Sequence, residues 1–158
     1  MLTSRLMELI YRHAASLTHA AVEDVLSNEC TASFRRIPRA ELESRIAAMY
    51  QNLSKWIGNS GEGVREEYED WGRTRFRQGI PLSEIVYSVI LMKHHLRDFI
   101  REHGQVVFSG DRLAKEMIGV ELYSIQELNY MVGEFFDRAL YHLAKGYETA
   151  ERAAQAVA

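Results

Sequence analysis

Six histidines, one cysteine and two oddly placed charges are the residues with chemistry to offer in this chain. A histidine on a helix can ligate haem or a metal ion through a ring nitrogen. The candidates are His13, His94 and His95. At ~100° per residue, His94 and His95 diverge on a helix and cannot both point at one ion. His13 falls on the apolar side of its helix, where a histidine is more often a satisfied core residue than a ligand. Haem ligation through His13, His94 or His95 is therefore an alternative without a supporting motif. Cys30 has no basic run beside it until Arg35 and Arg36, so nothing marks it as an activated thiolate.

Lys93 and Glu121 are the two charges out of place. Lys93 sits among Val86, Val89, Ile90, Leu96 and Ile100, on the apolar face of its helix. Glu121 lies within the broad apolar face of the last helix, with Met117, Leu128, Val132 and Phe135. Either each side chain snorkels to a rim, or the two helices pack and Lys93 meets Glu121 as a semi-buried pair. Such a pair encodes specificity or a switch more often than stability. Acid–base catalysis would need a polar pocket around it, and no set of catalytic groups accompanies the two residues. The chain has no Gly-rich phosphate loop, no Cys-x-x-Cys, no His-Glu-x-x-His and no Gly-x-Ser-x-Gly. No Glu has a His three residues later, as a di-iron bundle would require. The expectation is no catalytic residue, no metal and no cofactor.

The elements that carry these residues are helical. Both prolines, Pro38 and Pro81, stand just ahead of apolar-periodic runs, where a missing N–H costs nothing. Five segments are expected. The first runs from about Leu2 to Leu26, and the second from Pro38 to Gly58 with a stripe of Leu42, Ile46, Met49, Leu53 and Trp56. The third spans about Glu62 to Gln78, with a thin stripe of Val64, Tyr68 and Trp71. Its acids come first and its arginines last, which suits the helix dipole. That charge run reads as a solvated face, with Glu69 and Arg73 as an i,i+4 pair. Gly79 supplies a C-cap and Pro81 a restart. The fourth segment runs from Leu82 to about His103, with Gly104 ending it.

The fifth runs without proline from Asp111 toward Arg152 and would be on the order of 60 Å long. It must break near Gly119 or project beyond a body only about 40 Å across. Its aromatic residues spread around much of the circumference, so it is buried on more than one side. Leu122, Tyr130, Leu140, Tyr141 and Tyr147 lie off the main stripe, and Gly133 would let another helix approach. These six are the expected contact of a homodimer, the commonest closed symmetry. The other reading is that they meet the chain's own first helix in a monomer. No strand alternation or internal repeat appears, so the fold class is all-α.

Composition agrees. The 158 residues are 47% hydrophobic and 26% charged with a net charge of −3, which suits one globular domain. That charge provides no general pull toward nucleic acid or anionic lipid. No apolar run is long enough for a membrane span. Arg5, Glu8, Arg12 and His13 interrupt any signal-peptide core. A lone cysteine suits a reducing compartment. Cytoplasmic residence is expected.

The segment WGRTRFRQGIPLSEIVYSVILMKHHLRDFIREHG, from Trp71 to Gly104, resembles the signature of RsbRD-type N-terminal sensory domains. Gly72, Arg73, Gly79, Ile80, Pro81 and Leu82, followed by an amphipathic helix, carry most of the likeness. The stretches FRRIPRAELESRIAAMYQNLSKWI and FFDRALYHLAKGYETAERA are also similar. These domains belong to RsbR-like stressosome proteins, the RsbT co-antagonists, and also precede histidine-kinase or transcription-regulator modules. The resemblance implies a globin-like helical bundle, typically without haem, that dimerises and passes a signal through its C-terminal helix. It carries over no catalytic residue. Residues 1–158 are expected to form one sensory domain whose last helix, about 111–152, leads toward an output domain or a separate signalling protein. No STAS, kinase or helix-turn-helix segment follows Ala158, so the chain reads as an excised or free-standing input piece. The rivals are a haem-based gas sensor and, less well supported, a small enzyme of unknown reaction.

Overall fold

The computed structural model describes residues 2–58, 64–108 and 117–158. Among these, six α-helices and one 3-10 segment follow in the order α1 (Leu2–Arg12), α2 (Ala14–Ser27), the 3-10 segment (Glu29–Arg36), α3 (Arg39–Gly58), α4 (Arg65–Arg77), α5 (Leu82–Phe108) and α6 (Met117–Val157). The all-α class and the long last helix read from the sequence are both present.

Two boundaries differ from the expectation, at His13 and Gly104, and of the two alternatives for the last helix a break near Gly119 is not taken. The first segment is two helices, divided at His13 (φ −100°, ψ 11°). The i→i−4 hydrogen bonds continue on either side, from His13 N–H to Leu9 O and from Leu17 N–H to His13 O. The helix thus bends without losing its ladder, and the His13 ring rests against Phe99 and His103 of α5, centroids 5.4 Å away in each case. Gly104 does not end α5, which continues to Phe108. One helical glycine costs only about 1 kcal/mol against alanine, too little to stop a helix that is otherwise favourable. Gly119 does not break α6 either. The helix runs 41 residues unbroken, on the order of 60 Å. Residues 111–116 of the expected last helix lie outside the described residues.

The turn at Gly79 is as expected and shows its reason. Gly79 has φ +70°, its N–H donates to Phe76 O, and Ile80 N–H donates to Arg75 O. This is the Schellman arrangement, which needs a residue at ease in the left-handed region. The Pro81 carbonyl then accepts from Glu84 and Ile85, opening α5.

α4 lies along α6, α5 packs on α6 and α2, and α2 packs on α3. Between them, Leu53, Tyr68, Leu96, Leu128, Val132, Phe135 and Ala139 are wholly buried. Polar ties fix the register. Tyr50 OH donates to Met92 O, and the Ser33 N–H and hydroxyl both donate to the Glu84 carboxylate at the start of α5.

Candidate functional site

The closest packing between described helices is the crossing of α4 and α6. Along α4, Tyr68, Trp71, Gly72 and Arg75 recur at i, i+3, i+4 and i+7 and are all buried. On α6 the facing stripe is Phe135, Phe136, Ala139, Leu143 and Gly146. Both glycines sit at the point of closest approach. A Cβ built on Gly72 would lie 2.0 Å from Leu143 O, and one on Gly146 would lie 1.8 Å from Glu69 O. The backbones are therefore in direct contact, a spacing open only to residues without a side chain. Aromatic rings lock the crossing on both sides. Tyr68 stands edge-on to Trp71 (4.7 Å) and to Phe135 (6.2 Å), and Phe76 edge-on to Tyr147 (5.2 Å).

Arg75 corrects the reading of α4 as a solvated charge run. Only 7% of it is exposed. Its Nη1 donates to Glu41 Oε1 (3.0 Å) and Gln78 Oε1 (2.6 Å), and Gln78 Nε2 also donates to Glu41. Burial pushes the guanidinium below its ordinary value, with Glu41 acting against the shift. Burial pushes the Glu41 carboxyl up, but hydrogen bonds from Gln78 and Arg75 outweigh it and hold the group below the glutamate range. The expected Glu69–Arg73 pair is replaced by Arg65–Glu69 (3.1 Å) and Arg73–Asp70 (3.5 Å).

Lys93 does reach α6, where its Nζ lies 3.4 Å from Asp137 Oδ1. Asp137 stands on the order of 24 Å farther along the helix than Glu121. The Glu121 side chain lies outside the described residues. The Asp137 carboxylate is well exposed, and ion pairs in such settings contribute at most ~1 kcal/mol. Lys93→Met should accordingly change the free energy of urea unfolding by less than about 1 kcal/mol. A loss of several kcal/mol would show instead that Lys93 is held in a buried pair.

The three histidines considered as ligands face different neighbours. His13 packs with Phe99 and His103, and His95 Nε2 bonds Asp24 Oδ2 on α2 at 2.7 Å. His94 is exposed on the lip of an open groove between α5 and α6, beside Arg97 and Arg101. Among the described residues, no group of three or more His, Cys, Asp or Glu side chains could hold a metal ion. Cys30 is an exposed free thiol.

The back of α6 is a second surface. Tyr123, Tyr130 and Tyr141 are 66%, 71% and 59% exposed. On the helical wheel they fall within roughly 20° of one another and span about 27 Å. Leu128, Val132, Phe135, Ala139 and Leu143, all buried, occupy the opposite side. Of the residues expected at a dimer contact, Leu122, Tyr130 and Tyr141 are exposed, and Gly133 is half-buried with open space where a Cβ would stand. Leu140 and Tyr147 are half-buried against the chain's own core. Past Thr149, α6 carries only exposed or half-buried residues to its end.

The described residues form an all-α bundle whose longest helix is held by α4 through backbone contact and is exposed at its C-terminal end. The chain belongs to the family described as the RsbT co-antagonist protein rsbRD N-terminal domain, which matches residues 2–157. Neither the curated proteins nor the solved structures include a match. No described helix is long and apolar enough to cross a membrane.

Proposed function

We propose that this chain is a non-catalytic signal-input and dimerisation domain of a cytoplasmic bacterial stress or signalling regulator. Its globin-like bundle carries no cofactor, acts without nucleic acid or membrane, and hands its signal to an output domain or partner protein. The observation that supports this reading best is α6. Its inner face is clamped by α4 through backbone contact at Gly72 and Gly146, and its outer face is a stripe of exposed tyrosines, Tyr123, Tyr130 and Tyr141. In this reading the stripes of two chains pack about a two-fold axis, which covers the same patch on both. An input that changes the α4–α6 crossing then moves α6 relative to its partner, because packed interfaces switch between discrete arrangements.

The stripe residues are the ones to change, since Leu140 and Tyr147 also serve the chain's own core. Tyr130→Arg with Tyr141→Arg should convert a dimer to a monomer by light scattering and leave the helical circular-dichroism spectrum unchanged. A dimer that survives both changes would place the contact elsewhere.

A further inference from the structure

A small cavity lies at the centre of the bundle. It has a volume of about 40 Å³, and every described element except α1 contributes to its wall. Most of the wall is apolar, but Arg45, Arg75 and Ser88 contribute to it as well, the Ser88 hydroxyl already donating to Ile85 O. Arg45 lies over the Trp71 ring at 5.0 Å and makes no hydrogen bond or ion pair among the described residues. Arg75 lies over Phe34 at 5.6 Å and uses only Nη1, on Glu41 and Gln78. Its Nε and Nη2 hydrogens carry no bond among the described residues.

The charge at this cavity is unbalanced. Two guanidinium groups face one carboxylate, Glu41, and the two arginines repel each other. A guanidinium presents a planar fork of donors that matches a planar oxyanion in two parallel hydrogen bonds. Size limits the ligand. One water needs ~10–15 Å³ of such space, so this cavity accepts a group of about three or four heavy atoms. Apolar walls on the remaining sides disfavour a dianion, whose second charge would have no partner.

We infer that the cavity binds a small planar monovalent oxyanion, of the nitrate or short-chain carboxylate class, with Arg45 as its principal partner and Arg75 as the second. Binding stands on the cavity alone. Its consequence rests on the sensor reading above, since Trp71 and Leu143, from the two helices of the clamp, form part of the wall. Occupancy therefore bears on the crossing that positions α6.

The test is calorimetric titration of the unaltered chain with sodium nitrate, formate and acetate, using chloride as a spherical control and hexanoate as an oversized one. At least one planar anion should saturate with a dissociation constant between tens of micromolar and about a few millimolar, the range open to so few atoms. Arg45→Met should weaken it at least about tenfold, with Arg45→Lys intermediate because a lysine lacks the planar fork. Circular dichroism confirms that both variants are folded, and thermal shift with nitrate provides a second readout. Absence of saturation by all three planar anions, equal binding of chloride, or unchanged affinity in Arg45→Met would each overturn the site. The dimer dissociation constant with and without the bound anion separates the two claims. A shift supports the relay, whereas binding without a shift leaves the site standing and contradicts the relay.

Discussion

Gly146→Ala is expected to lower the melting temperature by roughly 6–12 °C. The added methyl would fall 1.8 Å from the Glu69 carbonyl oxygen and 2.6 Å from its carbon. Backbone cannot rotate aside as a flexible side chain can, so α4 and α6 must separate along their whole shared face. Overpacking costs ~1–3 kcal/mol or occasionally more, and the upper end applies where the obstacle is main chain. A domain of this size loses ~2–4 °C per kcal/mol. Gly72→Ala meets Leu143 O at 2.0 Å and Tyr147 N at 2.8 Å, so a similar loss is expected. Gly119→Ala is the control. It has open space around it, and alanine's better helix propensity should leave stability unchanged or raise it by up to ~1 kcal/mol. Differential scanning calorimetry of the three variants checks the set. A Gly146→Ala protein as stable as the parent would show that the two helices do not touch through their backbones.

The second large effect is expected at Glu41. Glu41→Leu leaves Arg75 buried without its carboxylate, and removing one member of a buried pair costs ~3–5 kcal/mol. Glu41 is about a third exposed, so solvent screening reduces the expected loss to about 2–3 kcal/mol. The sign with pH follows from the direction of the shift. A carboxyl held below its ordinary value of 4.5 stabilises the fold above that value, and the contribution is lost as pH falls through the lower folded value. The gap between parent and Glu41→Leu should therefore be widest near neutrality and narrow below about pH 4.5. Urea titrations at several pH values measure it. A gap independent of pH would mean that lost packing, not charge, explains the variant.

Much of the fold was legible. The apolar stripes of α3 and α5 have helical spacing, and Gly79 before Pro81 marks a turn whose Schellman geometry is present. What escaped has physical reasons. Neither Gly nor Pro announces the bend at His13, because its ladder of hydrogen bonds is intact and the ring's packing on α5 sets the angle. The 3-10 segment after Asn28 has no period to detect. Its start depends on a local cap, Asn28 Oδ1 accepting from Cys30 N–H. Lys93 stands out on its wheel, but the relative register of α5 and α6, which sets Asp137 opposite it, is a tertiary property.

The clamp has a readable signal in the sequence. Arg75 completes the Tyr68, Trp71, Gly72 stripe at i+7, and Gly146 continues the Ala139, Leu143 stripe. The charge run around Arg75 masks the first, because such a run on a helix is usually a solvated face. The expectation of close approach falls on Gly133, which has open space beside it, rather than on Gly146. A glycine on the apolar stripe of each of two helices is a reason to expect close approach.

Sedimentation equilibrium of the unaltered chain at tens of micromolar tests the central claim most directly. The account predicts one species of roughly twice the 18.2 kDa chain mass. A single species at 18.2 kDa would contradict it, leaving the tyrosine stripe of α6 without a second copy to cover it.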